Sequence, residues 1–200
     1  MHFTGVRCNI LVLTMPRTKR GRPSQPKLTH RRILSAALRL CNLRGVEKAS
    51  LRDLAAALHV DPMALYHYFP SREKLLTAAL EQALETLPQE IPEGCAAKAA
   101  ATRLILAYLD TAKKHRNLTV HLLSRQQTWP ANLVRFNEAL LQAIGHHCQD
   151  TQLTHRLRDI LVDYTHGYLL AAGNSSAGSA QHAHAEFATS VELILNAGRS

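Results

Sequence analysis

Four residues in a row, Tyr66-His67-Tyr68-Phe69, crowd rings onto one short turn of chain. They follow Asp61-Pro62 and precede Pro70-Ser71. Phenol hydroxyls and an imidazole can hydrogen-bond phosphate oxygens, so an exposed cluster of this kind suits a polyanion. Arg52, fourteen residues before Tyr66, and Arg72, three residues after Phe69, supply guanidinium groups that can bind phosphate or a guanine edge. Met63 and Ala64 offer no bidentate donor, but can pack on thymine methyl groups.

The charge distribution points the same way. The chain has 200 residues and a formal charge of +9. Residues 1–91 carry 14 Lys/Arg against 7 Asp/Glu, whereas the rest of the chain carries 10 against 8. Between Met15 and Arg44 there are nine basic residues, Arg17 and Arg20 among them, and no acid. The polyanion-facing surface is therefore expected at the N-terminal end. Hydrophobic residues make up 46% and charged residues 20%, the composition of a globular chain. No apolar run reaches the length of a membrane span, so no membrane partner is expected and the protein is placed in the cytoplasm.

Helix signals position these groups. Thr29 is a good N-cap, with Ile33, Leu34, Ala37, Leu38 and Cys41 recurring at helical spacing before Gly45 ends the helix. Ser50 and Asp53 form a short capping box for a second helix, whose inner face is Leu51, Leu54, Ala55 and Leu58. Asp61 and Pro62 open a third helix over about 62–68. Ser71 caps a fourth. Two short helices joined by a tight turn make a helix-turn-helix, and the third helix is the reading element. At 100° per residue, Leu65 and Phe69 face the core. Met63 and His67 point away from it, with Ala64 and Tyr66 beside them. The rings are thus expected to divide, with Phe69 inside and Tyr66 and His67 outside.

Over roughly residues 27–80 the chain resembles the DNA-binding domain of TetR-type (tetracycline-repressor-like) transcriptional regulators. The resemblance is carried by A-L-x-L-x-x-x-x-G in the first helix, "SLRDLAAALHV", "LYHYF" and "SREKLL". It implies that Tyr66 touches a phosphate, that Arg72 holds the adjacent one, and that Tyr68 makes another backbone contact. It also implies contributions from Ser50 and Arg52 in the second helix. The arm bearing Arg17 and Arg20 is expected to add minor-groove or phosphate contacts. The chain departs from the family at the turn, where His59 replaces the usual glycine; histidine reaches the left-handed conformation less readily.

Residues 1–26 read as a disordered basic extension. Translation is expected to start at Met15, since 1–14 do not belong to the pattern that follows; otherwise 1–14 are part of that extension. Residues 27–87 form the DNA-binding domain, 88–94 a Pro-rich linker, and 95–200 a second helical domain. Helical patterns cover about 95–114, 117–125, 151–172 and 181–197, with another opening near Thr128 to Pro130. With no strand pattern anywhere, the fold class is all-α. The stretch "LVDYTHGYLLAAG" resembles the penultimate long helix of TetR-type C-terminal domains. The resemblance implies a homodimer built on the last two long helices, with Gly167 and Ala171 permitting close approach. It also implies a small-molecule effector held among the middle helices. Tyr108, His121, Trp129, Phe136, Tyr164 and His166 are the candidate lining groups, with plain core packing as the alternative.

The four cysteines (Cys8, Cys41, Cys95, Cys148) include no C-x-x-C pair, and Cys41 falls on an apolar helix face. A reducing compartment fits them. Twelve histidines form no H-x-x-x-H within a predicted helix of the second domain, and His146, His147, His155, His182 and His184 read as surface groups. No metal, cofactor or catalytic residue is expected, because neither a nucleophile elbow nor a phosphate loop appears. The function read from all this is a ligand-responsive regulator acting on double-stranded DNA, most simply a repressor. A ligand-independent architectural DNA-binding protein is the alternative.

Overall fold

The computed structural model describes residues 28–124, 129–171 and 180–198. These residues form helices only. They are α1 (His30–Arg44), α2 (Leu51–Leu58), α3 (Pro62–Tyr66), α4 (Arg72–Ala83), α5 (Ala97–Lys114), α6 (Arg116–Leu123), α7 (Ala131–Cys148), α8 (Thr151–Ala171) and α9 (Ala180–Asn196). The basic arm with Arg17 and Arg20, the segment 1–14, Cys8 and most of the loop after α8 lie outside the described residues.

The first four helices begin where their caps dictate. Thr29, Ser50, Asp61 and Ser71 each accept a backbone N–H from the first turn that follows. Each thereby satisfies a donor that the helix itself leaves open. Ser50 and Asp53 complete the reciprocal capping box. At the other end of α2, His59 adopts φ 55°, ψ 44°, the left-handed conformation usually left to glycine. The His59 N–H donates to Ala56 and the Val60 N–H to Ala55, so the turn closes around the histidine. α3 stops at Tyr66, two residues short of the expected 68. Pro70 carries no N–H, and the chain must already leave the helix to reach Ser71 in extended conformation.

Leu65 is fully buried, and Phe69 nearly so, with the inner faces of α1, α2 and α4 around them. The break at 88–94 interrupts the helices but not the core: buried apolar residues from α1 through α9 form one contiguous cluster. Two polar clasps tie the first four helices to the rest. At one, α6 reaches both ways from neighbouring residues. Arg116 donates to the carbonyls of Leu169 (3.3 Å) and Leu170 (3.0 Å) near the C-terminal end of α8. Asn117 donates to Cys41 (3.0 Å) and Asn42 (3.1 Å) near the C-terminal end of α1. Asn42 returns a bond to Lys114 at 3.0 Å. The carbonyls so capped on α1 and α8 belong to the last turns; that of Cys41 also accepts the Gly45 N–H at 2.9 Å.

The second clasp joins α4 to α7. Pro130 precedes α7 and gives it no side-chain cap. Glu81 of α4 supplies one instead, accepting the Ala131 N–H at 3.0 Å, while Asn132 donates to the Glu81 carbonyl at 3.2 Å. Gln89 in the linker donates to Asn132 (3.1 Å) and accepts from Arg135 (2.5 Å). The N-terminus of α7 is thus held from α4 and from the linker.

Candidate nucleic-acid interface and cleft

The ring cluster divides as its spacing predicts. Phe69 is buried, while Met63 and Tyr66 are 64% and 44% exposed and His67 is exposed beside them. Arg52 is exposed on α2, and Ala64 is half-buried. Together these residues present one apolar, one cationic and two ring-bearing contact types on the helix-turn-helix.

Three other predicted contacts are occupied inside the protein. The Tyr68 hydroxyl donates to the Leu28 carbonyl at 2.9 Å, and its ring lies edge-on to His30. Arg72 turns inward: Nε donates to Ala49 (3.0 Å) and Nη2 to Val46 (2.5 Å), both carbonyls in the turn between α1 and α2. The Ser50 hydroxyl donates to Asp53 and accepts its N–H, so it is used in the cap. That hydrogen bond holds the Asp53 carboxyl below the usual carboxylate range. In this structure Tyr68, Arg72 and Ser50 brace the reading surface rather than extend it. Sequence reasoning missed His30, whose ring packs edge-on to both Tyr68 and Phe69.

In the second half of the chain, a cleft of about 480 Å³ opens between α5, α7 and α8. Four of the six candidate lining groups meet there: Tyr108, Trp129, Phe136 and His166. The other two do not. His121 pairs with Glu47 of the α1–α2 turn at 3.4 Å, another link between the two halves. Tyr164 stacks on Phe187 of α9, with ring centroids 5.2 Å apart. His121 sits on a helix that packs on α1, and Tyr164 on the α9 side of α8. Three charged residues outside that candidate set, Glu138, Arg158 and Asp159, also line the cleft, beside apolar Leu133, Leu141 and Val162. Their signal was available, because Val162 and Arg158 lie four and eight residues before His166 on one helix face.

At the cleft floor the Tyr108 hydroxyl lies 2.7 Å from His166 Nε2, and the Tyr108 ring stacks on Phe136 at 5.3 Å. Burial pushes the Tyr108 phenol up to about 12 and lowers the His166 pKa against the opposing pull of Asp163. At neutral pH both are therefore uncharged, and one hydrogen bond joins the phenol to the imidazole. Trp129, the one tryptophan of the chain, stands at the mouth, 55% exposed. Among the described residues no group of three or more histidine, cysteine or acidic side chains could hold a metal ion.

Of the surface histidines, His146, His155 and His182 are exposed. His147 and His184 are half-buried, His147 beside the Leu195 carbonyl and His184 beside Asp110. Cys41 is buried, as its helix face required. No helix among the described residues is long and apolar enough to cross a membrane.

A capped helix-turn-helix with an exposed third helix, continued by a body that is helical throughout the described residues, defines the fold class. Residues 33–79 match the model of the bacterial regulatory proteins of the tetR family. The match covers the helix-turn-helix and the helices that flank it, about a quarter of the chain. The repressor DrrR1 of Streptomyces coeruleorubidus, an HTH-type transcriptional repressor, is 36% identical over 62 residues. The match takes in 31% of this chain and spans 23% of that relative's length. Solved structures share the fold along most of the chain. BioQ with its double-stranded DNA operator superposes with a TM-score of 0.67 at 18% identity, over 86% of this chain and 98% of that one. ActR of Streptomyces coelicolor in complex with actinorhodin gives 0.66 at 18%, over 86% and 97%. A TetR variant from Acinetobacter baumannii AYE in complex with minocycline gives 0.66 at 20%, over 86% and 96%.

Proposed function

We propose that the chain is a cytoplasmic, ligand-responsive repressor that binds a near-palindromic DNA operator as a homodimer and is released by a small-molecule effector. The observation that carries this reading is the division of labour in the helix-turn-helix. Tyr66, His67, Met63 and Arg52 face outward, while Tyr68 and Arg72 lock the reading helix from behind. Such a surface is preorganised, so little ordering entropy is lost on docking. Tyr66 and His67 would take phosphates, and Arg52 with Met63 and Ala64 would read base edges. Arg17 and Arg20 would add contacts from the arm.

The homodimer rests on α8 and α9. Ile160, Leu170 and Leu193 are exposed there, and Gly167 has open space where a Cβ would stand. A twofold dimer would set two reading helices one DNA turn apart. The effector would enter the cleft bounded by Tyr108, Trp129, Phe136 and His166. The cleft wall belongs to α7, and α7 is capped by Glu81 of α4, so a ligand that shifts α7 would change the pose of α4 and the spacing of the heads. BioQ, solved with its DNA operator, and ActR, solved with actinorhodin, share this fold and support a reading with both a DNA and a small-molecule partner.

The test is a titration against DNA from immediately upstream of the protein's own gene, at several salt concentrations, beside a scrambled duplex. Dimer-stoichiometric binding that prefers the native sequence by orders of magnitude is expected. Equal, steeply salt-dependent binding to both duplexes would instead identify an architectural DNA-binding protein.

A further inference from the structure

Building on the effector reading above, we propose that the cleft takes an organic cation with a flat aromatic body. The argument starts from the walls. Tyr108 and Phe136 stack to form one face, and Trp129 stands at the mouth. Leu133, Leu141 and Val162 complete an apolar lining around them. A space of about 480 Å³ lies within the range of drug-sized ligands. Ring faces carry negative electrostatic potential and attract cations.

The charges settle the sign. Arg158 is the one cationic side chain of the lining, and its Nε lies 2.6 Å from Asp159, so it is already neutralised. The floor pair, Tyr108 and His166, is uncharged at neutral pH and hydrogen-bonded to itself. What is left is Glu138, exposed at the cleft and without an ion-pair partner among the described residues. Asp163, whose charge acts on His166, adds to the same local field. The basic DNA-binding end does not cancel it, because exposed charges more than about 8 Å apart are largely screened at physiological salt. A bound cation also adds positive charge to the protein, which by itself favours DNA. Release must therefore come through α7 and its cap on Glu81, not through charge repulsion.

Trp129 provides the readout, since it is the single tryptophan and lines the cleft. The probes are rhodamine 6G, a monocation, and fluorescein, an anion on the same flat xanthene body. Each is titrated into the full chain without DNA, following Trp129 emission and dye anisotropy. Rhodamine 6G is expected to bind one per chain and quench Trp129, with fluorescein weaker by about tenfold or more. Glu138→Gln should erase most of that preference while leaving thermal unfolding unchanged. Equal or tighter binding of fluorescein, a Glu138→Gln variant that keeps the preference, or binding of neither dye would each overturn the assignment. The operator titration is run on the same samples. Sequence-specific DNA binding beside a failed dye test leaves the regulator standing and removes only the ligand class. Loss of specific DNA binding removes the regulator and leaves the dye result to be read on its own.

Discussion

The two halves of the chain use aromatic residues in opposite ways. In the helix-turn-helix, every ring that is not on the surface has its polar atom tied down or is packed into core: Tyr68 ends on the Leu28 carbonyl, and Phe69 is buried. In the body, Tyr108, Phe136 and His166 line an open cleft, and Trp129 stands half in solvent. The first arrangement suits a partner of fixed shape, such as the DNA duplex. The second leaves surface and charge uncommitted, and suits a small partner that completes the packing itself. Rigidity and vacancy are thus separated along one chain whose core is continuous.

The sharpest way to break this contrast is a matched pair of core deletions. Leu65→Ala removes a fully buried side chain from the closed end and should cost about 3 kcal/mol by denaturant unfolding, as sealed voids do. Leu133→Ala, at a wall already open to the cleft, should cost at least about 1 kcal/mol less, because no new void is sealed. Equal costs would show that the cleft is as tightly packed as the head. Next comes Arg72→Ala, which strips two hydrogen bonds from the carbonyls of Val46 and Ala49. A loss of about 2 kcal/mol is expected, together with weaker binding to every DNA sequence. If stability is untouched and only affinity falls, Arg72 swings outward to phosphate after all.

Tyr66→Phe removes only an exposed hydroxyl. It should leave the melting temperature unchanged and weaken binding by about fivefold, some 1 kcal/mol, equally for native and scrambled duplexes. Glu81→Ala removes the borrowed cap of α7 and should cost about 1 kcal/mol of stability. It should also reduce the response of DNA binding to any cleft ligand; an unaltered response would show that α4 and α7 are not coupled there. The smallest effect is on pH. Burial lowers the pKa of both His115 and His166, so both resist protonation in the fold. The unfolded chain then binds more protons as pH falls below about 6.5, and stability declines from that point downward. His115, whose buried Nδ1 has no hydrogen-bond partner among the described residues, is the cleaner probe. His115→Gln should flatten the decline between pH 7 and 5.5 in thermal melts.

What could be read from the sequence follows from how local the causes are. Thr29, Ser50 with Asp53, Asp61 and Ser71 act on backbone within their own turn, so residue type and spacing revealed the starts of the first four helices. The split between Phe69 and Tyr66 followed from helix periodicity alone. Tyr68 and Arg72 were placed by resemblance at phosphates, but the structure ends them on carbonyls of Leu28, Ala49 and Val46. A carbonyl partner leaves no mark in a sequence, since every residue has one. His121 was misplaced for a related reason: Glu47 lies far from it along the chain. In the cleft the reading counted rings and passed over Glu138, Arg158 and Asp159, although helix-face spacing from His166 reaches Arg158 directly.

The neighbouring residues Arg116 and Asn117 grip α8 and α1, while Glu81 grips α7 from α4. A plate fixed by one pin can turn about it; a plate fixed by two cannot turn at all until one lets go. Because Arg116 and Asn117 are one peptide apart, about 3.8 Å between Cα atoms, the first pin has almost no play. Turning the head against the body by way of either pin would break a countable set of bonds, so a transition taken by that route has a threshold rather than a slope.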